Sequence, residues 1–411
     1  LRAGHAGAAV EGFASRRAET VRLPTAEAEL ERRWRELRRG MEHEGLDVLL
    51  VHNHVDGLGG YVKYFCDMST SGGYPLSVIF PREGPMTLVT HGPQGDDQTV
   101  SPSEDALLYG VERILSTSSF SSASYTSTYD GEQIVRALKG FAAGRIGLVG
   151  LAQMPYAMLG LVKERFPSAS FVDAADVVDP VKAVKSDYER DAIGRSVELQ
   201  VAAFHAALAA IEPGRQEWEV TAAALAVARA GGSEHGPVMV GSAPPGRPAI
   251  FKPARHQSRV LESGDRLTIL IEPSGPEGMY AEIGRTIVIG SADDELLEEH
   301  ARVVEAWQHY AAMLRPGASA RQIDADYNAF LREHERPEER RLGCHGQGYD
   351  IVERPLVRGD EPMSLAEGML IAVHPMYVHA GAAYWVCDNV FVEPDGPSPP
   401  LHGIAQKVFE V

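Results

Sequence analysis

Apolar residues recur at helical spacing through Leu30, Trp34, Leu37 and Met41, so the chain predicts a first helix, capped by Thr25 and stopped by Gly45. Short apolar runs then alternate with helical ones. Asp47 to Val51, Leu76 to Phe80, Met86 to Val89 and Arg145 to Val149 read as strands, and Gly131 to Gly140 and Pro155 to Phe166 as helices. That alternation predicts an α/β domain built on a mixed sheet. The segment from Ser116 to Thr128, dense in Ser, Thr and Tyr, reads as a polar surface loop. His52 and His54 follow the first strand, where loop histidines serve either a site or solvent.

The pattern changes near Asp179. Pro180 predicts a break, and Ser186 with Glu189 three residues on predicts a capping box opening a long helix that runs to Ile211. A second helix is expected over Glu217 to Arg229. The strand from Arg266 to Glu272 turns through Pro273 to Gly278 and returns from Met279 to Ile289, a β-hairpin with an acid, Glu272 or Glu282, on each side of its turn. Helices near Asp293 to Leu314 and Ala320 to His334 follow. The expected organisation is a flexible leader over 1–24, an α/β domain over 25–180 and a second domain over 185–411.

Composition bounds the function. A chain of 411 residues with 44% hydrophobic and 7% aromatic content buries a large core. Its net charge of -18, from 39 basic and 57 acidic side chains, argues against nucleic acid and anionic membranes as partners. No apolar run reaches the length of a membrane span. Three cysteines, Cys66, Cys344 and Cys387, make no disulfide framework and fit a reducing, cytoplasmic setting. A small-molecule substrate is the partner this leaves.

The candidate chemistry gathers around Gly343-Cys344-His345-Gly346-Gln347-Gly348-Tyr349-Asp350-Ile351-Val352-Glu353-Arg354-Pro355. Glycines beside a histidine suit a backbone that turns tightly or admits another group closely. Glu272 and Glu282 precede this stretch, and His374 and Cys387-Asp388 follow it. Together they offer carboxylate, imidazole and thiol, the groups that bind metals or move protons. Each also has a structural reading: His374 as a core histidine before Pro375, Cys387 as a small buried hydrophobe, Glu353 and Arg354 as an ion pair instead of a substrate anchor. Tyr349 and Trp385 read as pocket walls, with Tyr280 and Asp350 beside them as substrate contacts.

The order of helix pair, Gly264-Asp265, strand with Glu272, Glu282-x-x-Arg285-Thr286, His345-Gly-x-Gly, Gly368-Met369 and Cys387-Asp388 resembles the pita-bread family of methionine aminopeptidase, prolidase, aminopeptidase P and creatinase. The resemblance covers Val184 to the end, and the preceding domain is similar to the amino-terminal domain of the prolidase and creatinase branch. It implies an α+β fold, a C-terminal pita-bread domain after an α/β domain of creatinase/prolidase type, and a homodimer. In the metallopeptidases it also implies two metals held by Asp, Asp, His, Glu and Glu. Residue by residue these fall at Glu272, Glu282, His345, His374 and Cys387 or Asp388. Glu272 stands one residue closer to Glu282 than the family's two aspartates stand to each other. The family's second histidine is Val352 here, its upstream catalytic histidine falls near Pro253, with His256 close by, and creatinase's acid beside Arg-Thr is Gly284.

So altered a ligand set carries less charge and softer donors than the family's. Two states follow as expectations: a single zinc or iron on Glu282, His345, His374 and one of Glu272, Cys387 or Asp388, or no metal at all. The expected activity is hydrolysis of a carbon-nitrogen bond in a small polar substrate, with His345, Glu282, His374 and Glu353 as catalytic candidates and Tyr349, Asp350, Arg354, Trp385 and Tyr280 as substrate contacts. A lyase or isomerase acting on a small carboxylate, and a catalytically silent binding protein, are the alternatives.

Overall fold

A computed structural model describes residues 21–53, 60–69, 74–102, 107–141, 144–379 and 382–411, with the side chains of 378–384 outside the description. Residues 1–20 of the expected 1–24 leader, and His54, lie outside it. The chain forms two compact units, one ending at Val181 and the other running from Lys182 to Val411.

The first unit is built on a mixed seven-stranded sheet. Its strands are β1 (Val48–Asn53), β2 (Leu76–Pro81), β3 (Met86–His91), β4 (Asp97–Thr99), β5 (Val111–Thr117), β6 (Arg145–Val149) and β7 (Ser170–Asp173), in the order β4-β5-β3-β2-β1-β6-β7. β1 is fully buried and pairs antiparallel with β2 and parallel with β6, which explains why its residues form a continuous apolar run instead of an alternating one. The helix Glu27–His43 buries the expected stripe of Leu30, Trp34, Leu37 and Met41. Thr25 does not cap it: its hydroxyl and amide bind the Asp67 carboxylate at 2.7 and 2.9 Å, and Ala26 takes the cap position without a side-chain bond. His52 is buried against the Ser77 hydroxyl at 2.8 Å, so it is a packed strand histidine and not a solvated one. Pro180, expected to break the chain, lies inside the helix Ala175–Ala183. A proline removes a single main-chain donor, and burial of Val177, Val178 and Ala183 keeps the turn helical.

The second unit opens with the capping box of Ser186 and Glu189 at the head of the helix Asp187–Ala210. That helix and Glu217–Ala230 cover a four-stranded sheet, β18-β10-β9-β8, in which β8 is Val238–Ala243, β9 Arg266–Ile271, β10 Ile283–Val288 and β18 Phe409–Glu410. A five-stranded sheet, β12-β11-β13-β16-β17, joins β11 (Cys344–Gly346), β12 (Glu353–Leu356), β13 (Leu370–Val373), β16 (Asp388–Glu393) and β17 (Gly396–Pro397). The helix Asp294–Ala312 lays Leu296, Val303, Trp307 and Tyr310, on one helical face, into the core that this second sheet shares with Ala320–Glu333. A two-stranded ribbon, β14 (Met376–His379) and β15 (Ala382–Trp385), completes the unit.

The two larger sheets are stitched by a reciprocal pair of main-chain hydrogen bonds between Gly284 and Cys387, both 3.0 Å. Every candidate metal ligand lies within a few residues of an end of the ladders that converge there.

Candidate functional site

Two ladder ends supply four of the side chains. β9 and β10 pair up to Ile271 opposite Ile283, so Glu272 and Glu282 are the next residue out on each strand. The expected tight hairpin is therefore a wide loop. Glu272 stays tied to the chain before β8, its amide donating to the Pro237 carbonyl at 3.0 Å, and its carboxyl still reaches Glu282 despite the one-residue displacement. In the same manner β13 and β16 pair Val373 with Asp388, which leaves His374 and Cys387 as the flanking residues. His345 comes from the middle of β11, opposite Ala372, while its neighbour Cys344 points into the helix-covered core.

Glu282, His345 and His374 bring ligand atoms within 4.8 Å of one another. His374 Nε2 is 3.8 Å from Glu282 Oε1, and the two imidazoles meet edge to face at 5.0 Å. His345 Nδ1 lies 2.8 Å from the Gly346 carbonyl, which only accepts, so Nδ1 is the donor and Nε2 is left as the nitrogen to act as a ligand. Cys387 Sγ donates to Glu282 Oε1 at 3.0 Å. Glu272 hydrogen-bonds Glu282 and accepts from Gln347 Nε2 at 2.9 Å.

The electrostatics divide two carboxyl groups into different states. Burial, and beside it the Glu282 charge, pushes the Glu272 carboxyl well above its usual range. Burial also opposes ionisation of Glu282, but the imidazoles of His374 and His345 and the hydrogen bonds from Glu272 and Cys387 outweigh it and hold Glu282 below its usual range. The pair thus shares one proton, carried on Glu272. Burial lowers His374 to about 4 despite the attraction of Glu282, so its imidazole is neutral near pH 7, and burial with the Glu282 charge keeps the Cys387 thiol protonated.

Other expected site residues stand elsewhere. Asp388, the alternative to Cys387, points to the opposite side of the strand, where Arg285 Nη2 binds it at 2.9 Å and Gln406 at 2.8 Å. Of the two, Cys387 faces the cluster. Glu353, expected to be catalytic, is buried between Lys182 and Lys185, each 2.8 Å away, and their charges overcome burial to lower it to about 2. Asp350 also binds Lys182, so this acid is occupied by a lysine and not presented to a substrate. Arg354 does not pair with Glu353; its guanidinium binds Glu361 at 2.7 Å. Tyr349 and Tyr280 are buried, and the Tyr280 amide donates to the Gly348 carbonyl. Trp385 packs against His374 at 5.6 Å. His256 is exposed, in the turn Ala254–His256, and does not replace the missing upstream histidine.

Gln347 and Asn389 are two residues that sequence reasoning left without a role. Asn389 Nδ2 donates to Gln347 Oε1 at 2.8 Å, and Asn389 Oδ1 accepts the Glu282 amide, so the two amides bridge the acids from behind. Asn389 lies two residues after Cys387 on one strand, the spacing that puts residues on one face. The motif's glycine at 348 has a steric reason as well. A Cβ there would come within 2.6 Å of Lys185 Nζ and 2.8 Å of both Glu353 carboxylate oxygens.

The fold and this acid, imidazole and thiol cluster define a pita-bread protein. Residues 191–394 match the profile of metallopeptidase family M24, and residues 33–184 match the creatinase/prolidase N-terminal domain. The chain belongs to the pita-bread creatinase/prolidase family. It is 26% identical to the Xaa-Pro dipeptidase of Pyrococcus horikoshii over 248 residues, 60% of this chain and 70% of the relative. With the creatinase of a Bacillus species it shares 23% identity over 384 residues, 87% of this chain and 85% of the relative. The crystal structure of X-Pro aminopeptidase from Thermotoga maritima superposes with a TM-score of 0.75 at 21% identity, covering 92% of this chain and 99% of that one. Among the described residues no helix is long and apolar enough to cross a membrane, and the three cysteines are free and buried.

Proposed function

We propose that this chain is a hydrolase of a carbon-nitrogen bond in a small substrate, with a site suited to one divalent metal in place of two. The observation that carries this reading is the convergence of Glu282, His345 and His374 ligand atoms within 4.8 Å. Two imidazoles and one carboxylate make a donor set that suits zinc or iron. A dinuclear cluster needs more anionic ligands than the site offers. Here two of the five positions are imidazoles, His345 and His374, and the last is the thiol of Cys387 in place of a carboxylate.

Glu282 would bind through its ionised carboxylate, His345 and His374 through Nε2. A bound divalent ion would supply Lewis acidity and lower the pKa of water. The remaining steps belong to the chain. The Gly346 carbonyl fixes the His345 ring, Gln347 and Asn389 hold the two acids, Glu282 accepts a proton from the attacking water, and Glu272 returns one to the leaving nitrogen as the carbon-nitrogen bond breaks. Glu353 acts as a support: its two lysines fix the turn that follows His345.

The proton on Glu272 beside ionised Glu282 also favours a second reading, direct acid-base hydrolysis by this pair without metal. A panel of dipeptides and N-acyl compounds assayed for amine release tests hydrolysis itself. Release that is lost in Glu282→Gln supports it; no release from any compound, with or without added zinc or iron, counts against both readings.

A further inference from the structure

Glu272 and Glu282 stand on a part of the fold that their own strands do not hold. Continuing the register of β9 and β10 past the Ile271–Ile283 pair would set Glu272 opposite Glu282 and Pro273 opposite Ala281. The ladder does not continue. The Glu272 amide donates to the Pro237 carbonyl at 3.0 Å and the Glu282 amide to Asn389 Oδ1, so each turns away from the facing strand, and Pro273 has no amide hydrogen to give. The carbonyls of Pro273 and Ala281 therefore need a donor from elsewhere.

Gln200 supplies both. This residue of the helix Asp187–Ala210 is fully buried, and its Nε2 donates to the Pro273 carbonyl at 2.7 Å and to the Ala281 carbonyl. A carboxamide nitrogen has two hydrogens, and each is used here, one on the residue after Glu272 and one on the residue before Glu282. Gln200 Oε1 accepts from His402 Nε2 at 2.8 Å, which fixes the way the amide faces: turned over, Oε1 would meet two carbonyl oxygens. The rest of the loop is seated on the same part of the helix. Ser196 Oγ, four residues earlier, lies 2.8 Å from the Met279 carbonyl, Arg195 binds the Glu277 carboxylate, and a Cβ at Gly275 would stand 2.2 Å from Ser196 Oγ.

We propose that Gln200 is the positioning residue of the acid pair: its carboxamide stands in for the missing rung beyond Glu272 and Glu282, and so sets their separation and the affinity of the site for a divalent ion. It acts through the main chain and binds neither acid's carboxyl group. The ladder pair Ile271–Ile283 brackets the acids on one side, and Gln200 brackets them on the other, where the opened loop would otherwise let the strands part. An apolar side chain in its place would leave two buried carbonyls without a donor. Water or main-chain movement would then have to satisfy them, and either spreads the pair that Gln200 holds. The metal readout rests on the mononuclear reading above; the clamp itself does not.

Zinc affinity of the full chain, read by competition with a chromophoric chelator, is compared in the parent, Gln200→Met and Ser186→Ala. Gln200→Met keeps the length of the side chain and removes both donors. Ser186→Ala weakens the same helix at its cap and leaves the loop alone. The expected result is a roughly ten- to hundredfold weaker zinc affinity in Gln200→Met, the size of a lost outer hydrogen bond around a metal, and the parent's affinity in Ser186→Ala, although both variants lower Tm. An unchanged affinity in Gln200→Met, or an equal loss in Ser186→Ala, would overturn the assignment. If Gln200→Met does not fold, Gln200→Asn, one methylene too short to reach both carbonyls, takes its place with the same outcomes. A parent that binds no zinc refutes the metal reading and not the clamp. Crystal structures of parent and Gln200→Met then decide: the Glu272–Glu282 hydrogen bond is expected to be lost in the variant, and a pair still in contact overturns the assignment.

Discussion

Cys387 Sγ stands 3.0 Å from Glu282 Oε1, a thiol donor at the place where the family resemblance implies a carboxylate ligand. The contact stabilises the ionised acid in a buried setting. Removing it in Cys387→Ala leaves a buried carboxylate with one donor fewer, at a cost of about 1–3 kcal/mol. Urea denaturation is expected to show that loss, with Cys387→Ser recovering part of it; a stability equal to the parent's in Cys387→Ala would mean the contact contributes nothing.

Gly284 supports the indole of Trp385. A methyl group there would stand 1.7 Å from Nε1, so Gly284→Ala must displace the ring or the strand. The expected result is about 1–3 kcal/mol of destabilisation, typical of overpacking, together with a red-shifted tryptophan emission as the indole moves toward solvent. Unchanged emission and stability would show that the ring does not sit over Gly284.

Glu353 bridges Lys182 and Lys185 in the interior. Truncating it leaves the buried Lys185 ammonium without its carboxylate, while Lys182 keeps Asp350, and breaking such a pair from one side costs about 3–5 kcal/mol. Glu353→Ala is therefore expected to unfold at much lower denaturant than the parent. A second consequence concerns pH. The folded Glu353 is depressed to about 2 from 4.5, so its stabilising contribution is complete above about pH 4.5 and is lost as pH falls toward 2.

Two histidines outside the cluster set an earlier limit. Burial lowers His300 to about 4 and His402 to about 3, against an ordinary value of 6.5, with the Arg285 charge adding to both. Below pH 6.5 the unfolded chain binds protons that the folded chain does not, so stability present above 6.5 declines continuously as pH falls toward 4 and 3. Thermal melts at pH 7.5, 6, 5 and 4 are expected to show falling Tm, and His402→Asn is expected to flatten the slope. A Tm independent of pH over that range would contradict neutral burial of both.

Much of the fold was legible because local signals agreed with the tertiary answer. Ser186 and Glu189 form the expected capping box, and the apolar run at Arg145–Val149 is the strand it predicts. Where they failed, a distant partner won: Thr25 gives its hydroxyl to Asp67 and not to the helix end. In the site, the ligand types could be read, but not which groups they faced. A carboxylate's partner lies across the fold, so Glu353 read as a possible pair for its neighbour Arg354, whereas the chain brings Lys185 to it from 168 residues away and Lys182 with it. Cys387 and Asp388 could not be ranked from the text, because the register that turns one toward Glu282 and the other toward Arg285 is set by pairing with β13 and by the bridge to Gly284.

The central claim is a single metal on Glu282, His345 and His374, and plasma mass spectrometry on untagged protein tests it most directly. About one zinc or iron per chain, lost in His345→Ala while the variant keeps its circular dichroism, is the predicted result. Two metals per chain would restore the dinuclear arrangement, and metal-free protein that takes up neither ion on reconstitution would contradict the mononuclear site and leave the Glu272 and Glu282 pair to act alone.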